Sequence, residues 1–351
     1  MNRVYYNEFK GLDGVLNRVE ILSEVSGIDE YVKTGKSPFV LRYADVMKLD
    51  PVHTAQATIH LISQYDFQFI SLHTDDMQGY RMDFYRGGIL FWTGWLDSEL
   101  YNEVLSKSSP YEVEFSASDF NITERLKYIN DSDAKYSDIV PVMTHIKRCL
   151  DKLKLPFGKI YIGCTTTIGG ISLNSSETAL HKSYVTSSNF YDEDGKPMSC
   201  REVLDNCLRP FALMMVQKDG NVYVYDYNTI KKGLPMKRFD FSSMTYEDEE
   251  FVDFYYGNAL DIGIMSSEGD YGFEEMFNNV TITSSLYADK DGVFSYDVEE
   301  DNLENLISTS DNAGYVLKKY GLCPPWKEGR FLYYENKRNT GADALIGAEM
   351  I

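Results

Sequence analysis

Alternating polar and apolar residues dominate the first third of the chain. A period of two is the spacing of a half-buried strand, because successive side chains of a strand point to opposite faces. One such stretch, "AQATIHLIS", begins at Ala55, and another, "PYEVEFSAS", begins at Pro110. Short strands at regular spacing predict a closed or nearly closed β-barrel or a sandwich.

The stretch "YRMDFYRGGILFWTGWL" predicts a β-hairpin. Gly87-Gly88 supplies the positive φ angles that a tight hairpin turn requires, and apolar residues alternate with polar ones before it. The residues predicted to form the core are Tyr80, Met82, Phe84 and Trp92. Trp95 follows Gly94 and is predicted to point to the face opposite Trp92. We therefore expect Trp95 to contact a partner protein.

Helical spacing begins beyond residue 121. Ser137 is predicted to cap a helix that runs to Leu153, with one apolar stripe at spacings of three and four. Ser199 and Glu202 form a capping-box pattern at the start of a second helix, which Pro210 should end. A strand, the turn Asp219-Gly220 and another strand should follow that helix. A helix followed by strand structure thus occurs twice, which suggests an internal duplication.

These patterns predict a β-rich α+β fold in which small β-barrel domains carry inserted helices. A chain of 351 residues has room for two or three domains. We place an N-terminal β-barrel domain at residues 1–120 and a helix and strand domain at residues 121–235. A C-terminal β-rich domain or arm follows at residues 236–351.

Charge and hydropathy restrict the classes of partner. The net charge of −20 repels nucleic acid at short range, so sequence-specific recognition of DNA or RNA is not expected. An acidic channel through which DNA slides without being held remains compatible with this charge. The chain shows no apolar leader and no run of about 18 apolar residues, so neither a secretory signal nor a membrane anchor is predicted.

Motifs for catalysis, cofactors or metals are weak throughout the chain. Gly35-Lys36-Ser37 ends like a phosphate loop, but Glu30 replaces the upstream glycine and Pro38 follows, so we expect a turn. His145 and Cys149 share a helix face, yet no second pair at zinc spacing accompanies them. We predict no catalytic, cofactor or metal site and no enzymatic activity. The many carboxylates leave a chance hydrolytic pair open.

Several phrases of the first 130 residues resemble the tail and baseplate hub proteins of bacteriophages, particularly those of Bacteroides-type phages and prophages. The phrases are "SPFVLRYAD", "ATIHLIS", "YRMDFYRGGILFWTGWLDSELYNE" and "PYEVEFSASDFNITERLKYI". Family members usually have an "A-x-D-G-L" turn in the last phrase, where this chain has Phe120 and Asn121 instead of Gly-Leu. The helix unit around Ser199 also resembles the family, so the likeness extends over residues 1–227.

The resemblance implies a structural protein without an active site. It implies small barrels assembled as a homo-oligomeric ring around the tail axis, joining the tail tube to the baseplate or spike, with non-specific passage of DNA. The implied partners are further copies of the chain and other tail proteins, namely tube, spike and tape measure. The implied locations are the virion tail and, during assembly, the cytoplasm of the bacterial host.

Two other functions remain open on the residues alone. A carbohydrate-binding adhesin would use exposed aromatic residues, with Trp326 or Tyr333–Tyr334 as candidates, and a tail-associated glycan hydrolase would use paired carboxylates. Trp95 and Trp326 are the two predicted partner contacts.

Overall fold

The computed structural model describes residues 1–252, apart from residues 12, 25–28, 44–49, 98, 100–101, 104–108 and 170. Beyond these it describes three later strands by their backbone. The chain divides into two compact units, Met1–Ser284 and Ser285–Ile351. The three-domain division stays a prediction.

Eight strands form the first sheet of the larger unit. They are β1 (Asn2–Lys10), β2 (Leu16–Ser23), β3 (Glu30–Tyr31), β4 (Thr34–Tyr43), β5 (Ala55–Ser63), β6 (Tyr80–Arg86), β7 (Ile89–Leu96) and β8 (Tyr111–Ser118). Their order across the sheet is β3-β1-β2-β6-β7-β8-β5-β4. The predicted hairpin is confirmed, because β6 and β7 pair across Gly87 and Gly88, whose φ angles are 56° and 85°.

The small closed barrel is not confirmed. In the described ladders β3 and β4 are the two edges, and no ladder joins them. The two edges nevertheless come close together at Val32 and Lys33, the two residues that connect β3 to β4. The N–H of Val32 donates to the carbonyl of Tyr6 in β1, and the carbonyl of Lys33 accepts from the N–H of Ile62 in β5. The sheet is therefore strongly curved, and the supported fold class is the coarser one, a β-rich α+β protein.

The concave side of the first sheet holds its own hydrophobic core. The predicted core residues Met82, Phe84 and Trp92 are buried there, together with Phe69 and Phe115, and Tyr80 packs against them. Trp95 belongs to a different core, which confirms that it points away from Trp92.

A five-stranded sheet, a separate two-stranded sheet and four α-helices make up most of the rest of the described part of the larger unit. These elements are β9 (Ile139–Pro141), α1 (Val142–Lys152), β10 (Lys159–Gly163), α2 (Ala179–Lys182), β11 (Tyr184–Thr186), α3 (Cys200–Leu208), β12 (Leu213–Lys218), β13 (Asn221–Asp226), α4 (Tyr227–Lys231), β14 (Met236–Asp240) and β15 (Tyr246–Glu250). The five-stranded sheet has the order β12-β13-β10-β14-β15, and β9 pairs with β11 separately.

Helices α1 and α3 cover one face of the second sheet. Ile160 and Ile162 of β10 point into the core shared with these helices, whereas Tyr161 points to the other face. There it stacks on Tyr223, with ring centroids 4.5 Å apart. The capping box of Ser199 and Glu202 is confirmed, and α3 ends two residues before Pro210.

Two local predictions were wrong. The first helix begins at Val142 rather than at Ser137, because the residue before Pro141 is disfavoured in the α conformation and residues 139–141 instead pair as a strand with β11. Gly35-Lys36-Ser37 is not a turn but part of β4, where the register shifts between Thr34 and Phe39. The bulge accommodates Pro38, which has no N–H to give to a regular ladder.

The smaller unit contains β16 (Tyr315–Lys319), β17 (Phe331–Asn336) and β18 (Leu345–Met350). These strands form an antiparallel sheet in the order of the chain. Within the described residues, no helix is both long and apolar enough to cross a membrane.

Candidate functional site

Trp95 lies at an internal contact between the two sheets of the larger unit. Its side chain is 3 % exposed, and its indole N–H donates to the carbonyl of Leu153, 2.7 Å away, just after α1. The predicted contact of Trp95 with a partner protein stays a prediction. Trp326 lies outside the described residues, and Tyr333 and Tyr334 lie on β17, which is described by its backbone.

A buried glutamine fastens the two sheets together. Gln217 of β12 accepts a hydrogen bond from the N–H of Thr93 at 2.8 Å and donates one to the carbonyl of Thr93 at 2.9 Å. Both residues are fully buried. Because β7 pairs with β8 only at Trp95 and Leu96, Thr93 has no partner in β8, and the amide of Gln217 takes that partner's place.

Backbone contacts extend this junction on both sides of Gln217. Met215 donates to the carbonyl of Pro51 at 2.7 Å and accepts from the N–H of His53 at 2.9 Å. Gly220 donates to the carbonyl of Phe91 at 3.1 Å. Residues of β12 and of the turn after it are thus bonded to β7 and to the segment that precedes β5. The one sign of this junction in the sequence is a polar residue, Gln217, at the end of the apolar run "LMMVQ", which was not predicted to join two sheets.

A buried carboxyl group lies next to the junction. Asp119 is fully buried at the end of β8, where it accepts from the N–H groups of Ala55 and Phe120 at 2.8 and 2.6 Å. Burial raises the pKa of Asp119 to about 7, against the opposing effect of these N–H groups and of the Trp92 indole. Neither the indole N–H nor the second carboxyl oxygen makes a hydrogen bond of normal geometry in the described structure. Asp119 is the aspartate of the turn on which the family resemblance partly depends.

A cleft of about 400 Å³ lies at the end of β7, beside the turn that follows β8. Its apolar wall consists of Met77, Trp95, Leu96 and Ile122. Trp95 and Leu96 are the last residues of β7, and Ile122 lies in the 3₁₀ turn Asn121–Glu124 that follows β8. The apolar wall of the cleft therefore comes mainly from the end of β7 and the turn after β8.

The rest of the cleft is rich in hydrogen-bond acceptors. Three carboxylates, Asp97, Glu99 and Glu124, line it with the single cation Arg125. Glu99 and Arg125 form an ion pair with each other. Asp97 is exposed, although surrounding protein atoms desolvate its carboxyl group and raise its pKa.

His145 and Cys149 do not form a metal site. The Nδ1 atom of His145 is bonded to the hydroxyl of Tyr128, and its Nε2 atom lies 3.1 Å from the carbonyl of Val185. A carbonyl only accepts, so Nε2 carries the proton and Nδ1 accepts from Tyr128. Burial lowers the pKa of His145 and raises that of Cys149 well above its ordinary value. Among the described residues, no group of three or more potential ligands is placed to hold a metal ion.

Comparison with known proteins identifies no family. No family model and no curated protein matches the chain. One solved structure similar to it is the 43 kDa tail protein of prophage MuSo2 from Shewanella oneidensis, with 11 % identity and a TM-score of 0.32 over 59 % of this chain and 53 % of that one. Another is a tail protein from Neisseria meningitidis MC58, with 12 % identity and a TM-score of 0.30 over 60 % of this chain and 51 % of that one.

The chain thus aligns with about half the length of each of these tail proteins. TM-scores this low do not establish a common fold. The function proposed below therefore depends on the residues and geometry of this chain.

Proposed function

We propose that the protein is a structural component of a bacteriophage tail, a hub-like subunit that joins the tail tube to the baseplate or spike. The main support for this proposal is where the sequence segments that resemble hub proteins lie in the fold. They form β4 to β8, which are neighbours in one sheet in the order β6-β7-β8-β5-β4. The phrases that resemble hub proteins therefore build one continuous, strongly curved surface rather than scattered segments.

The junction between the sheets suits a subunit that must keep its shape under force. Gln217 bonds both backbone groups of Thr93, and Trp95 donates to the carbonyl of Leu153, which also accepts from Gln78. These contacts pair buried polar groups of the first sheet with groups of β12 and of the end of α1. Opening the junction would exchange each of these hydrogen bonds for one to water, at a net cost of about 0.5–1.5 kcal/mol each. A tail subunit must hold its shape while neighbouring subunits pull on it, and such a junction resists hinge motion.

The curvature of the first sheet and the net charge of the chain fit assembly into a ring through which DNA passes. Residues 32–33 bring the two edges of the first sheet together, so each subunit contributes a rounded β-rich body to a homo-oligomeric ring. The net charge of −20 would keep DNA from adhering as it passes. The other partners would be the tube, spike and tape-measure proteins, and the location would be the virion tail after assembly in the bacterial cytoplasm.

Purified particles test the proposal directly. Tails of the phage or prophage that encodes the chain should contain it in a fixed ratio to the tube protein, as measured by quantitative mass spectrometry. Deleting its gene should give particles without functional tails, and a plasmid copy should restore them. Normal infective particles after deletion would refute the proposal.

The oligomeric state tests the ring separately. Light scattering of the isolated chain should give a multiple of the 40.2 kDa subunit mass. Because a neighbouring protein could nucleate the ring, the measurement should be repeated on hub complexes released from purified tails. A single copy in those complexes would exclude the ring while leaving the tail assignment intact.

A further inference from the structure

We propose that Trp92 and Asp119 form a proton-operated contact, in which the ionised carboxyl group captures the indole N–H and the protonated group releases it. Both residues are buried, Trp92 in the core of the first sheet and Asp119 at the end of β8. The contact belongs to the fold of the larger unit, so it does not depend on the tail function proposed above.

The two side chains lie where the pairing of β7 with β8 ends. Trp95 pairs with Ser118, and the next positions along the two strands are Gly94 and Asp119. Gly94 has no side chain, and the Trp92 ring lies beside it. A Cβ atom on Gly94 would be 2.7 Å from Cζ2 of Trp92 and 2.6 Å from the carbonyl oxygen of Ser118. Cζ2 is two bonds from the indole nitrogen, so the nitrogen edge of the ring lies on the side of Ser118 and Asp119.

Each of the two residues carries one buried polar atom without a hydrogen-bond partner in the described structure. In Asp119, one carboxyl oxygen accepts from the N–H groups of Ala55 and Phe120, and the other oxygen is unpaired. In Trp92 the unpaired group is the indole N–H, which can only donate. Because buried polar groups are nearly always hydrogen-bonded, an unpaired donor beside an unpaired acceptor indicates a contact that forms in one state of the protein.

The protonation state of Asp119 decides whether these two atoms can bond. An ionised carboxylate offers its second oxygen as an acceptor, and the bond to the indole is then charge-assisted. In the protonated group the first oxygen still accepts from two N–H groups, so the proton lies on the second oxygen and a donor faces a donor. Burial raises the pKa of Asp119 to about 7, so both states are populated near neutral pH.

No other titratable or charged side chain is bonded to Asp119 in the described part of the chain. Strand β7 carries no charged residue. The groups on the other neighbouring segments are Asp50 and His53 before β5, His60 of β5, Asp97 after β7, Tyr111, Glu112 and Glu114 of β8, Glu124 and Arg125 in and after the turn, and Arg201 of α3. Of these, only the two histidines are of a type that ordinarily titrates near neutral pH. His60 is bonded to Glu112 toward the other end of β8, and burial lowers the pKa of His53, away from that of Asp119.

The indole N–H signals of the isolated, ¹⁵N-labelled chain test the contact in ¹H–¹⁵N NMR spectra on either side of pH 7. The variants Trp95→Phe and Trp326→Phe assign two of the three signals, and the third belongs to Trp92. The Trp92 proton signal should move downfield as the pH rises, with a midpoint at about 7, because its hydrogen bond forms as Asp119 ionises. The Trp95 signal should stay in place, since its acceptor, the carbonyl of Leu153, does not titrate.

Four variants make the result specific. Asp119→Asn keeps the shape of the side chain and should leave the Trp92 signal independent of pH. His53→Gln and His60→Gln are the controls and should leave the titration of Trp92 unchanged. Trp92→Phe keeps an aromatic ring but removes the donor, which should raise the pKa of Asp119 further. The free energy of unfolding of Trp92→Phe should therefore continue to fall to a higher pH than that of the wild type.

Three outcomes of the titration would overturn the proposal. These are a Trp92 signal that does not move with pH, a shift that persists in Asp119→Asn, and a shift that is lost in either histidine variant. If Asp119→Asn does not fold, the stability profile of Trp92→Phe decides, and a fall that ends at the wild-type pH contradicts the contact. All these measurements use the isolated chain, so a negative result leaves the particle experiments on tail function unaffected.

Discussion

Replacing Gln217 with leucine removes the side chain that bonds the first sheet to the second. Leucine has similar bulk but cannot pair with the N–H and carbonyl of Thr93, which are fully buried. An unsatisfied buried backbone group costs about 1–3 kcal/mol, and the apolar leucine recovers part of that loss. We expect Gln217→Leu to lower the free energy of unfolding by about 3 kcal/mol.

Urea denaturation followed by far-ultraviolet circular dichroism and by tryptophan fluorescence measures the change. A loss of this size corresponds to a fall in Tm of about 6–12 °C for a folding unit of this length. The control is Gln56→Leu, since Gln56 is exposed on β5 and has no side-chain hydrogen bond among the described residues. That variant should stay within about 0.5 kcal/mol of the wild type.

Gln217→Glu examines the same pair of bonds through pH. An ionised glutamate still accepts from the N–H of Thr93 but cannot donate to its carbonyl, whereas the protonated acid does both. Burial should raise the pKa of the introduced carboxyl group, so this variant should regain stability as the pH falls. A Gln217→Leu protein as stable as Gln56→Leu, or a Gln217→Glu protein without that pH dependence, would refute the role of Gln217.

Three further substitutions examine the neighbouring core. Trp92→Ala should lower the free energy of unfolding by about 3–5 kcal/mol, because it removes the largest buried side chain of the first core and leaves a cavity. An unchanged urea midpoint would contradict this. Gly94→Ala should lower the free energy of unfolding by more than about 2 kcal/mol, because the new Cβ would lie 2.6 Å from the carbonyl oxygen of Ser118. The control is Gly169→Ala, whose new Cβ meets nothing within 4 Å and which should melt at nearly the same temperature as the wild type. The pKa of Asp119 in the folded protein, about 7, exceeds its ordinary value of 3.8, so proton binding favours the folded state between those pH values. The free energy of unfolding of the wild type should therefore fall by up to about 4 kcal/mol as the pH rises from 4 to 7. Asp119→Asn should remove that part of the slope, and an identical pH profile in the variant would show that Asp119 is ionised throughout.

Local patterns in the sequence predicted local structure well. The alternation from residue 55, the Gly87-Gly88 turn and the capping box of Ser199 each depend on neighbours within a few residues, and each is confirmed. The opposite orientations of Trp92 and Trp95 follow in the same way from the strand period. The start of α1 was placed too early because strand pairing with β11, 43 or more residues away along the chain, competes with the helix pattern before Pro141.

Patterns within short stretches of the chain were enough to predict the strands, the two longer helices and the faces on which the apolar residues lie. Contacts between distant parts of the chain bring Gln217 to Thr93, bury Asp119 and place Asp97 and Glu124 beside Trp95 in one cleft. The physical reason is separation along the chain. Gln217 and Thr93 are 124 residues apart, and a polar residue in an apolar strand does not specify which distant backbone group it will meet.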